Sequence, residues 1–153
     1  MKKKMIWSIL GLVVIIGGFI TFSQITQTNN NLATAKNLEK KLVLGEGSLP
    51  QKITMENTKI FEKNGINDVF AVQFVKGKLT EPTKATVLSD EVCKPDKYGY
   101  YHCWNNIKLS NGTTIRGLTI HDMKGGVPCL SPNAKVVVTP YKNGYFLLQR
   151  NKS

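Results

Sequence analysis

Residues 107–114 read Ile107-Lys108-Leu109-Ser110-Asn111-Gly112-Thr113-Thr114, an alternating segment that runs into a polar turn and then resumes. Alternation with period two is a strand signal. Asn-Gly accepts the two positive φ angles of a type I′ turn, so this stretch predicts a β-hairpin.

Working outward, similar signals recur on both sides. Residues 134–140 form a second strand candidate, Lys142-Asn143-Gly144 a turn, and 145–149 the returning strand. Upstream, Phe70, Val72 and Phe74 alternate with Ala71, Gln73 and Val75, which predicts a strand over 68–79. Glu81-Pro82-Thr83 turns the chain there, and 84–92 reads as the return strand. Residues 52–60 offer one more. Roughly five to seven short strands with tight turns predict a small all-β domain. Closure removes exposed strand edges, so an OB-like or SH3-like barrel over 51–153 is expected. Such a shape specifies no function by itself.

The N-terminal part follows another pattern. Lys2, Lys3 and Lys4 precede an uncharged, Ile-, Leu- and Val-rich stretch from Met5 to Gln24. About 20 apolar residues in a helix cross the roughly 30 Å hydrocarbon core. The flanking lysines favour a cytoplasmic N-terminus and an extracytoplasmic C-terminal domain. A transmembrane signal-anchor over 1–23 is therefore expected, with cleavage after Ala33-Thr34-Ala35 as the competing outcome. The run is longer than a usual signal-peptide core. Residues 24–50 then supply a polar spacer and a short amphipathic helix. In that helix Leu32, Ala35, Leu38 and Leu42 share a face, Asn31 caps the start and Gly45 serves as a left-handed stop.

Charge narrows the partners. The chain has 21 Lys and Arg, 10 Asp and Glu and a net charge of +11. Leaving out Lys2, Lys3 and Lys4, 18 basic residues face the same 10 acidic ones, or about +8. Such a field suits a nearby anionic membrane, an anionic wall polymer or a protein partner. Nucleic acid is not expected outside the membrane.

The chemistry concentrates in one window. All 3 cysteines and both of the 2 histidines lie between positions 93 and 129, with Met123 among them. Thiolate, thioether and imidazole donors suit soft or borderline ions, so copper or zinc is the expected cofactor. The candidate ligands are Cys93, Cys103, His121, Met123 and Cys129, with His102 in reserve. A strand would send His121 and Met123 from one face, and would send adjacent His102 and Cys103 to opposite faces. A Cys₃His set suits tetrahedral zinc, whereas two cysteines with His121 and Met123 suit cuprous copper. The bland alternative is a disulfide: Cys93–Cys103, 93–129 and 103–129 are all open, with one thiol left over. The domain would then be a stapled interaction module without metal.

Two further patterns have weaker implications. Tyr98, Tyr100, Tyr101 and Trp104 crowd one loop, where aromatics either cover a barrel or stack on a sugar. An anchor followed by His121, Cys129 and Arg150 in that order resembles the sortase transpeptidases in outline. That family's Thr-Leu-x-Thr-Cys strand motif is absent, and Gly126-Val127-Pro128 precedes Cys129 instead, so no catalytic activity is carried over.

Overall fold

The computed structural model describes residues 34–151. The expected anchor, Asn31 and Leu32 lie outside the described residues. Among those described, no helix is long and apolar enough to cross a membrane.

Six antiparallel strands form one sheet that closes into a ring. They are β1 (Val69–Lys76), β2 (Thr83–Pro95), β3 (Tyr101–Leu109), β4 (Thr114–His121), β5 (Lys135–Pro140) and β6 (Tyr145–Arg150). Around the ring the order is β1-β4-β3-β2-β5-β6, and β6 pairs back onto β1. The expected hairpin between β1 and β2 does not form. β1 pairs with β4 and β6, while β2 pairs with β3 and β5. The Glu81-Pro82-Thr83 turn is thus a connection between non-adjacent strands.

Both hairpins read from the sequence are present, with their turn chemistry reassigned. Between β3 and β4, Gly112 donates to Leu109 O and Leu109 to Thr113 O, and only Gly112 has a positive φ, +86°. That pattern is a three-residue connection with a left-handed glycine, in place of the expected type I′ turn. The paired positive angles fall instead in the second hairpin, at Asn143 (φ 56°) and Gly144 (φ 76°).

Two apolar clusters hold the molecule together. Inside the ring, Phe70, Val72, Val87, Ile107, Ile115, Val138, Phe146 and Leu148 pack together. Outside it, Leu38, Ile60, Phe61, Val69, Ala71, Ile120, Tyr145 and Leu147 form a second layer. β1 and β6 are therefore buried on both faces, so Val69-Phe70-Ala71-Val72 and Tyr145-Phe146-Leu147-Leu148 are continuous apolar runs. Each large side chain buried this way contributes about 1.5–3 kcal/mol by transfer from water.

The outer layer comes from the segment before β1. A helix over 34–41 buries Leu38 against the sheet. Residues 52–60, expected as a strand, instead run into a 3₁₀ segment, Met55–Phe61. Asn57 decides its start: its Oδ1 accepts from Thr54 N–H at 2.9 Å and its amide donates to Lys52 O at 2.9 Å. Adjacent Ile60 and Phe61 are then both buried, which strand alternation would not allow. Gly45 is not a left-handed stop. Its N–H donates to Ile60 O at 2.5 Å, and a side chain there would collide with the Lys59 carbonyl. Buried Asn64 fastens the segment, donating to Ala71 O at 2.9 Å and Ile120 O at 2.8 Å and accepting from Ala71 N–H at 2.8 Å.

Candidate metal centre

Four elements bring the cysteines together with His121. Cys103 lies in β3, opposite Thr119 of β4. His121 ends β4, on the same face as Thr119, and sets its ring edge-on to Phe70. Both Cys103 and His121 are 1% exposed. Cys129 follows the 3₁₀ turn Met123–Gly125, held in place by its buried neighbours Val127 and Leu130.

Cys93 arrives through a fault in β2. Glu91 pairs with Trp104 and Lys94 with His102, so Val92 and Cys93 together face Cys103. This two-against-one count defines a β-bulge. It is completed by Val92 at φ 50°, an unfavourable conformation for a β-branched residue. The bulge places Cys93 beside Cys103, and the two form a disulfide. Cys129 remains a free thiol, half-buried.

The donor atoms of Cys93, Cys103, His121 and Cys129 all lie within 4.8 Å of one another. Cys93 Sγ is 3.5 Å from Cys129 Sγ, and His121 Nε2 is 3.7 Å from both Cys103 Sγ and Cys129 Sγ. A tetrahedral ion with sulfur at about 2.3 Å and nitrogen at about 2.0 Å has donor–donor edges of about 3.5–3.8 Å. Three of the five edges other than the disulfide match that figure, and the other two lie within 4.8 Å. The donor set is Cys₃His, and it fits a four-coordinate ion once the Cys93–Cys103 bond is reduced.

The surroundings favour a neutral imidazole. Burial pushes the His121 pKa down, and the Asp122 charge and the Val127 backbone only partly oppose it. Its Nδ1 is buried without a well-formed hydrogen bond. Cys129, in contrast, has its thiol pushed up to about 11, first by burial and then by the neighbouring Asp90 carboxylate, to which it is hydrogen-bonded. Asp90 is itself raised by burial, against the hydrogen bonds from Cys129 and Asn105. A polar chain continues behind it: Asn105 donates to Asp90 at 3.0 Å and accepts from Thr119 Oγ1 at 2.6 Å.

Sequence reasoning did not find Asp90, Asn105 or Thr119. The available signal was Asn105, a polar residue fully buried on the inward face that Cys103, Ile107 and Leu109 also occupy.

The other expected ligands are placed differently. Met123 lies in the 3₁₀ turn rather than a strand and is 40% exposed, with its Sδ 3.7 Å from Cys129 Sγ. His102 leaves the opposite face of β3 from Cys103 and sits outside the cluster. Its Nε2 lies 3.1 Å from Asp96 Oδ2. Asp96 also accepts from the backbone of Tyr98 and Tyr100, at 2.9 and 3.0 Å, so His102 helps close the loop between β2 and β3. Arg150 is taken up by Asp68, donating at 2.6 and 2.9 Å. Trp104 stacks under the Arg116 guanidinium, 5.2 Å from the ring centre. The chain matches no known family model, curated protein or solved structure.

Proposed function

We propose that this domain binds one soft metal ion, Zn(II) in the first place, through Cys93, Cys103, His121 and Cys129. The observation that carries the reading is that four donors of the right type converge within 4.8 Å, three of their pairwise distances lying at tetrahedral edge lengths. Zinc suits a Cys₃His set because it has no geometric preference beyond four-fold coordination by sulfur and nitrogen. Copper(I) is the second reading, supported by the Met123 thioether beside Cys129.

The disulfide and the metal exclude one another. Forming Cys93–Cys103 removes two thiol protons and two electrons, which pass to an external oxidant, and leaves only Cys129 and His121 of the four zinc donors. The reduced chain is the binding form and the disulfide chain the released form. In this reading the N-terminal apolar run anchors the chain, and the ring of strands is a small barrel displayed outside the membrane. The support for that placement is the Lys2–Lys4 clamp and the uncharged stretch that follows it.

Cobalt(II) substitution tests the ligand assignment. The reduced full-length chain, in non-ionic detergent, is expected to develop thiolate-to-cobalt absorption that saturates at one equivalent. Cys129→Ser and His121→Ala should each abolish the band or weaken binding by about a hundredfold. His102→Ala should leave it intact. Absence of the band in the reduced chain, or its loss in His102→Ala but not His121→Ala, refutes the assignment.

A further inference from the structure

A basic cleft on the outer face of β5, β2 and β3 lies apart from the Cys/His cluster. The strand register puts Thr86 opposite Lys135 on one side and Lys108 on the other, so three residues form one rung across three strands. Lys84 precedes Thr86 by two positions and leaves the same face. These side chains, with Ser110, line a cleft of about 510 Å³ with no aspartate or glutamate among its described lining residues. Lys135 Nζ donates to the Thr86 hydroxyl at 3.1 Å, a neutral acceptor.

Like charges gathered on one face of a sheet are unfavourable. Two strand spacings of about 4.8 Å separate the Lys108 and Lys135 backbones, well within the reach of two lysines converging on one anion. Three ammonium groups, with the Thr86 hydroxyl free to donate while it accepts from Lys135, favour a tetrahedral oxyanion over a planar apolar ligand.

We propose that this cleft binds phosphate groups carried on a flexible chain, of the phosphodiester or polyphosphate type. A cleft admits a strand of polymer, whereas a bilayer presents a flat surface that meets convex faces first. Lys84, Lys108 and Lys135 supply the charge and Thr86 a neutral donor to the same oxygens, while the Ser110 hydroxyl at the edge is engaged with Thr83 at 2.8 Å. The site is independent of the metal centre.

Inorganic tripolyphosphate is the probe, titrated calorimetrically into the full-length chain in non-ionic detergent at moderate salt. Lys108→Gln and Lys135→Gln should each weaken binding by about fivefold, and the pair by more than about tenfold. Lys52→Gln removes the same charge from an exposed position outside the cleft and should change the affinity less than twofold or so. Near-ultraviolet circular dichroism confirms that each variant retains its fold. Equal losses in Lys52→Gln and Lys108→Gln would reduce the effect to overall charge and overturn the site. So would the absence of tripolyphosphate binding, or capture by phosphatidylglycerol vesicles without any affinity for the soluble polyphosphate.

Discussion

At the scale of single residues, the metal centre depends on what surrounds Cys129. A thiol at about 11 is almost wholly protonated at neutral pH, and the proton is held toward the Asp90 carboxylate. In the metal-free disulfide form, Cys129 should therefore react with iodoacetamide at pH 8 about a hundredfold more slowly than an ordinary exposed thiol. Asp90→Asn keeps the shape but removes the neighbouring charge, so it should speed that reaction several-fold. Mass-spectrometric rates of alkylation decide this, and an unchanged rate in Asp90→Asn would remove Asp90 from the account. A metal ion reverses the logic, since it competes for the same sulfur with two positive charges and releases the proton on binding. His121 needs no such displacement, because burial already keeps it neutral. The residue types at this site were legible in the sequence because cysteine, histidine and methionine clustered in one window. Their assembly was not. Asp90 reads as an ordinary surface acid until β2 and β3 are paired, and His102 and His121 differ only in which face of a strand they leave.

At the scale of elements, the bulge in β2 is the feature on which the site turns. It makes Val92 the extra residue and rotates Cys93 toward Cys103. Val92 is 61% exposed, so it contributes little packing to offset its left-handed backbone. Val92→Gly should relieve that conformation and leave the fold within about 1 kcal/mol of the parent or more stable, with Cys93–Cys103 still forming. Deleting Val92 should instead restore a regular register, with Cys93 as the direct cross-strand partner of Cys103 on the same face and the disulfide still formed. Thermal unfolding with thiol titration reads both variants. Loss of the disulfide in the deletion variant would show that the strand register around the bulge does not by itself bring Cys93 to Cys103. No sequence rule marks such a bulge: the expected strand ends at Val92, and nothing in Glu91-Val92-Cys93-Lys94 signals an extra residue. Turns were more legible than pairings. Both Asn-Gly hairpins were visible locally, but the partner of β1 depends on contacts with β4 and β6, far along the chain. The 3₁₀ segment at Met55–Phe61 was hidden for the opposite reason, because a short capping interaction by Asn57 overrode a weak strand pattern.

At the scale of the whole molecule, the closed ring explains why a domain of this size can hold a reactive cluster at one end. Strands buried on both faces and an outer layer built on Leu38, Ile60 and Phe61 keep β1, β4 and β6 fixed. The cluster is assembled from β2, β3, β4 and the loop before β5, so any ion bound there ties four parts of the chain together. Binding only to the folded state should then stabilise it by about 4 kcal/mol when free metal exceeds Kd a thousandfold. The disulfide stabilises a separate state by about 3 kcal/mol through its closed loop. The reduced, metal-free chain should be the least stable of the three. Native mass spectrometry of the reduced full-length chain with added Zn(II) and, separately, Cu(I) tests the central claim most directly. The expected result is one tightly held ion per chain, lost on oxidation to the Cys93–Cys103 disulfide and in Cys129→Ser. A reduced, folded chain that retains neither ion at stoichiometric metal would contradict it.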